Sequence, residues 1–263
     1  MKSLVRWSAT LGLVGTTLLG SLFGGNMRAL ALTEQQIIEK LRTVPVFMIA
    51  RADGTPMFAC IVPDTGQPTS CDNQNSVIFT QLFINPEDAE TFLERIQQSQ
   101  PQATQNFRIL PKSLGSIYQG LEEARRNQEK PLVIDLEPRQ QQVNSAINLI
   151  QQDGQQVQDF NGVPLFYAVA TVGEDQIYLP GQRGNQEVIP LFFDKEQLQR
   201  NLEQLVANNP EASSQIEIQV MTLENLISAM KNSDEPILEK FFLEPSPEAI
   251  QFLQSRPSSR PSN

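Results

Sequence analysis

Two periods of hydrophobic residues alternate along this chain. Thr33 to Arg42 sets Ile37, Ile38 and Leu41 on one helical face behind a Thr33-Glu34-Gln35-Gln36 capping box. Val44-Pro45-Val46-Phe47-Met48-Ile49 is short and apolar, which predicts a strand, with Pro45 near its start where a missing N–H costs least. Asp53-Gly54 predicts a hairpin turn and Met57 to Val62 the returning strand. Val77 to Ile84 is a strand of buried type. Asn85-Pro86-Glu87-Asp88 then supplies an N-cap, a first-turn proline and first-turn acids for a helix with Ala89, Phe92, Leu93 and Ile96 inward. A short strand at Phe107–Leu110 leads to Ser113, the cap of a helix carrying Leu114, Ile117, Tyr118 and Leu121. Leu132–Leu136 reads as a strand, and Gln140–Gln151 as a helix with Val143, Ile147 and Ile150 inward.

The same order then returns. Strands are expected at Leu165–Ala170, Gln176–Leu179 and Val188–Phe193, a helix at Lys195–Ala207 behind Asp194, and a strand at Ile216–Val220. Thr222 caps a helix to Met230, a strand spans Leu238–Leu243, and a last helix covers Glu248–Leu253. Sequence motifs repeat with the elements. Val44-Pro45-Val46-Phe47 matches Val163-Pro164-Leu165-Phe166, Leu82-Phe83-Ile84-Asn85 matches Leu191-Phe192-Phe193-Asp194, and Leu136-Glu137-Pro138 matches Leu243-Glu244-Pro245. The offsets are 119, 109 and 107 residues. The fold class is therefore α/β or α+β, an internally duplicated unit. Two lobes, 32–152 and 153–254, are expected about a pseudo-two-fold axis with a shared interface, and the seam is the first place to look for binding.

The drop in offset places an insertion in the first copy, and both cysteines, Cys60 and Cys71, lie in or beside it. Pro63-Asp64-Thr65-Gly66 is a turn signal, so a disulfide closing this hairpin is the expectation, with two free thiols as the alternative. Residues 1–31 read as a cleaved signal peptide: Lys2 and Arg6, an apolar stretch from about Ala9 to Phe23, and Ala29-Leu30-Ala31 as the cleavage site. No later stretch is long and apolar enough to span a bilayer, so an exported protein without stable membrane insertion is expected. Residues 255–263 are expected to be a disordered tail.

From Leu32 onward 17 basic residues face 30 acidic ones, a net charge of −13 that argues against nucleic acid as a partner. The chain has no histidine, which removes the commonest general base and, with two cysteines, leaves no structural zinc set. Gly181-Gln182-Arg183-Gly184-Asn185 lacks the ending of a phosphate loop and reads as a hairpin loop. Asp135 and Glu137 share a strand face, and Asp53, Asp64 and Asp72 surround a turn. Both groups read as solvated, not as hydrolase acids or calcium ligands. The glutamine runs read as solvated helix and linker. No enzyme, cofactor or metal is expected. The doublets Phe192-Phe193 and Phe241-Phe242 point to both faces of their strands, and the methionines add adaptable apolar surface. Met48, Met57, Phe192, Met221 and Phe242 are accordingly the apolar binding candidates, with burial in the core as the competing reading.

In combination these motifs resemble the twenty-two-kilodalton Tic family, soluble components of protein import at the chloroplast envelope with exported cyanobacterial relatives. The resemblance spans Val44–Ile49 with Asp53-Gly54, Leu82–Ala89, Val163–Phe166, and Val188–Phe193 with Asp194. It implies a periplasmic, chaperone-like accessory factor in protein transport and outer-membrane biogenesis. The implied partners are unfolded or precursor polypeptides and an outer-membrane barrel assembly or translocation protein. The alternative is a docking or scaffold protein for that machine which never touches clients. The resemblance transfers no active-site residue.

Overall fold

The computed structural model describes residues 31–208 and 216–255, so the leader, the 209–215 connection and the tail beyond Ser255 lie outside the described residues. Helix α1 (Glu34–Arg42) starts at Thr33, whose hydroxyl accepts from the Gln36 amide while the Gln36 side chain accepts from the Thr33 amide. It feeds β1 (Pro45–Arg51), β2 (Ala59–Ile61), β3 (Val77–Phe83), α2 (Pro86–Ser99), the single turn α3 (Pro101–Thr104), β4 (Phe107–Ser113), α4 (Leu114–Arg126), β5 (Leu132–Glu137) and α5 (Gln140–Gln152). The second half runs β6 (Pro164–Val172), β7 (Asp175–Tyr178), β8 (Gly181–Arg183), β9 (Gln186–Phe192), α6 (Lys195–Asn208), β10 (Ile216–Thr222), α7 (Leu223–Asn232), a 3₁₀ turn at Pro236–Glu239, β11 (Phe241–Glu244) and α8 (Pro247–Ser255).

The two halves use one topology and one register. The first sheet runs β5-β3-β1-β4 and the second β11-β9-β6-β10. Phe47 pairs with Phe83 as Phe166 pairs with Phe192. Pro45 faces Ser113 as Pro164 faces Thr222, and Leu82 faces Leu136 as Leu191 faces Leu243. The helix caps correspond too: the Ser113 and Thr222 hydroxyls each accept an amide three residues on, at 3.1 Å in both.

In each sheet the two central strands part after a short contact, and the space is filled from the following loop. In the second half a hairpin fills it, β7 pairing with β6 and β8 with β9. In the first half Pro56 and Met57 touch β1, and β2 pairs with β3. The Asp53-Gly54 turn forms, with Gly54 at φ 90°, but the chain does not return along β1 as a regular hairpin. Two further elements differ from their sequence patterns. Gly181–Arg183 is strand, so only Gly184-Asn185 turns. Pro236–Glu239 is a 3₁₀ turn that takes in Leu238, so β11 starts only at Phe241.

A central cluster draws on both halves: Ile37, Leu41, Met48 and Leu82 from the first, Leu165, Leu191, Leu226, Met230 and Leu243 from the second. The outer face of each sheet is covered by its own half's helix, α2 or α6, and by one helix exchanged from the other half. Helix α8 closes the second half in sequence but packs on the first sheet, where Phe252 meets Phe47 at 4.9 Å between ring centroids and Ala249 lies among Ile49, Phe83 and Ala89. Helix α5 closes the first half but sets Ala146 and Leu149 against Phe166, Phe192 and Leu198 of the second.

Candidate functional site

The insertion hairpin is closed by a Cys60–Cys71 disulfide, with the Cα atoms 5.1 Å apart. Lys130 Nζ donates to the carbonyls of Cys71 and Asn73, clipping the hairpin to the start of β5. At its base Phe58 is 49% exposed. Met57 packs half-buried on the first outer cluster, its amide donating to Ile49 O at 2.7 Å and its carbonyl accepting from Thr80 Oγ1 at 2.8 Å.

The five apolar candidates divide among different environments. Met48 lies in the central cluster and Phe192 in the second outer cluster. Both are buried, because each stands on a central strand covered on its two faces. These two are core and offer no surface. Met221 is half-buried against the central cluster. Phe242 is half-buried with the Arg183 guanidinium 3.9 Å above its ring. Burial raises the neighbouring Glu244 carboxyl, with Arg183 pulling it back. Met57, Met221 and Phe242 therefore remain at the periphery, on three separate patches.

Sequence reasoning missed further apolar surface on the exchanged helices. The inward face of α5 is Gln142, Ala146 and Leu149, one position away from the Val143, Ile147 and Ile150 face predicted for it. The turn follows from Gln142, which is buried, not solvated. Its Oε1 accepts from the Lys195 amide at 3.0 Å, and its Nε2 donates to Glu196 at 2.8 Å and to Asp194 at 3.4 Å. Val143, Ile147 and Ile150 are half-buried and lie outside the hydrophobic clusters. Helix α8 likewise turns Ala249 and Phe252 inward and leaves Ile250 and Leu253 40% and 43% exposed. The signal for α5 was the 142, 146, 149 spacing, which a glutamine at its head disguised.

Where the two halves meet at these helices the surface is acidic. Arg139 bridges Glu87 and Glu248, at 3.3 Å to each. Asp88 Oδ2 and Glu248 Oε2 are buried without a hydrogen-bond partner, as is Oε1 of Gln197, the second-half counterpart of Asp88. Burial pushes Asp88 and Asp194 above the usual carboxylate range. Burial also acts upward on Glu196, but the Gln142 and Gln141 donors outweigh it and hold that group low. Elsewhere Asp135 and Glu137 accept side by side from Gln81 Nε2, at 3.5 and 3.0 Å. Asp53 caps the Thr55 amide and is held low by that bond. Among the described residues no three acids or cysteines are grouped to hold a metal, and no helix is long and apolar enough to cross a membrane. The arrangement offers apolar patches in an acidic setting.

No curated protein matches the chain. Solved structures do, among them two Tic22 proteins. Anabaena Tic22, described as a protein-transport protein, is 26% identical with a TM-score of 0.71, over 87% of this chain and all of that one. Tic22 from Plasmodium falciparum shares the fold at 21% identity and a TM-score of 0.59, over 83% of this chain and 96% of that one. The model of the Tic22-like family matches residues 13–255, and the chain belongs to that family.

Proposed function

We propose that this protein is a periplasmic, chaperone-like accessory factor in protein transport and outer-membrane biogenesis, and that it holds apolar segments of exported clients. The observation that carries the reading is the apolar surface on the two exchanged helices: Ile250 and Leu253, exposed on α8, and Val143, Ile147 and Ile150, half-buried on α5. Apolar residues spaced three and four apart on a helix make a stripe, and burying a client side chain against it gains roughly 25 cal/mol per Å² of apolar area. Ordering the client offsets much of that gain, which keeps binding transient. The net charge of −13 from Leu32 onward keeps loaded complexes soluble and disfavours anionic lipid. Export fits the leader read in residues 1–31 and the Cys60–Cys71 bond, and the relationship to a protein-transport protein supports the cellular role. Binding and release, not bond chemistry, is the activity proposed.

Photo-crosslinking in cells from Ile250 and, separately, from Phe242 tests this. Many unfolded outer-membrane precursors trapped at Ile250 are the expected outcome. One folded partner trapped at both positions contradicts client holding and identifies a docking protein for a barrel assembly machine.

A further inference from the structure

Strands β5 and β11 occupy the same place in the two sheets, each the outer parallel neighbour of a central strand. Their free edges differ. In β11 the inward residues are marked by the Ile189 amide donating to Lys240 O, so Phe241 and Leu243 turn their backbone outward. Helix α1 seals that edge. Lys40 Nζ donates to Phe241 O at 3.0 Å and Glu239 O at 2.7 Å, and Thr43 Oγ1 to Leu243 O at 3.5 Å.

In β5 the amides of Ile78 and Ile84 donate to Pro131 O and Glu137 O, so Leu132, Ile134 and Leu136 present their backbone outward. No described group bonds to those amides or carbonyls. The second half has no helix corresponding to α1, and 153–163 runs instead as turn and coil before β6. The seal is therefore present once in a fold that has two such edges. An unpaired row of N–H and C=O groups is a template for another strand.

The side chains beside this edge specify what fits. On one face Leu132, Ile134 and Leu136 are half-buried, the last two against the central cluster. On the other, Val133 is 42% exposed and is followed by Asp135 and Glu137, which have only Gln81 as a hydrogen-bond partner and no cation within ion-pair distance among the described residues. We propose that the outer edge of β5 takes up, as an added strand, an extended polypeptide segment in which apolar residues alternate with lysine or arginine. The apolar set extends the Leu132, Ile134, Leu136 face, and the basic set meets Asp135 and Glu137. The same edge of a second copy, Leu132–Glu137, brings acids and no cation. The inference deepens the client-holding function proposed above and rests on it.

The probe is a fluorescent eight-residue peptide alternating valine and lysine, titrated by anisotropy against the full protein. Two further peptides carry N-methyl groups on the valine amides or on the lysine amides. Added-strand binding uses one alternate set of peptide amides, so one pattern abolishes binding and the other is tolerated. Asp135→Lys with Glu137→Lys lies on exposed or half-exposed strand positions. It is expected to weaken the valine–lysine peptide about three- to tenfold and to strengthen a valine–glutamate peptide. Equal binding of both methylated peptides, or indifference to the double charge reversal, overturns the proposal. So does absence of peptide binding. In that case suppressed aggregation of an unfolded outer-membrane protein shows that client holding stands and only the β5 edge fails, while loss of both removes the two together.

Discussion

Gly115 sets how closely α1 approaches α4. A Cβ there would stand 2.5 Å from Ile38 O and 2.8 Å from the Arg42 amide nitrogen, so alanine forces the helices apart. We expect Gly115→Ala to lower stability by about 2 kcal/mol in urea titration, although alanine favours helix. Phe47 and Phe166 occupy equivalent, fully buried positions under α8 and α5. Each, cut to alanine, is expected to cost about 3–5 kcal/mol, whereas Phe242→Ala, half-exposed under Arg183, costs well under half of that in the same titration. Much at this scale was legible in the chain: the Thr33 capping box, the Asn85, Ser113, Asp194 and Thr222 caps, and the Cys60–Cys71 hairpin all follow from local chemistry. The binding residues were not. Met48 and Phe192 look as adaptable or as bulky as any surface anchor, and only the layers on either side of their strands decide that they are core.

Elements were readable where their signal is local and unreadable where it depends on a distant partner. The repeated order of strands and helices is in the sequence. The exchange of α5 and α8 is not, since a helix's apolar stripe does not name the sheet it will meet. The rotation of α5 shows why: burying Gln142 satisfies Asp194, Glu196 and the Lys195 amide at the start of α6, and that network outranks the Val143, Ile147, Ile150 stripe. Gln142→Leu keeps the volume but leaves the Lys195 amide without its acceptor. We expect a loss of about 1–3 kcal/mol in a urea titration, against a smaller change for Gln140→Leu on the exposed face of the same helix.

The whole molecule shares one central core, and each half's last helix covers the other half's sheet, so the halves should not unfold separately. A single calorimetric transition, with calorimetric and van't Hoff enthalpies equal, is the expected result, and two resolved transitions would contradict it. Protons also act on the whole. Burial raises Asp88, Asp194, Glu224 and Glu244. A raised group binds its proton more tightly when folded, so its contribution is fully present below the unfolded value, about 4, and is lost as pH rises through the folded value. Asp53 and Glu196 are lowered and act in the opposite sense. The four raised groups and the shrinking negative net charge act in the same direction, so Tm is expected to rise as pH falls from 7 toward about 5. The central claim is that the apolar faces of α5 and α8 hold clients. The most direct measurement is light scattering from an unfolded outer-membrane β-barrel protein diluted out of urea, with the intact protein or with Ile147→Ser, Ile250→Ser, Leu253→Ser present. Suppression by the intact protein and its loss in the equally folded triple variant is the predicted result. Equal scattering with and without the intact protein, or full suppression by the variant, contradicts it.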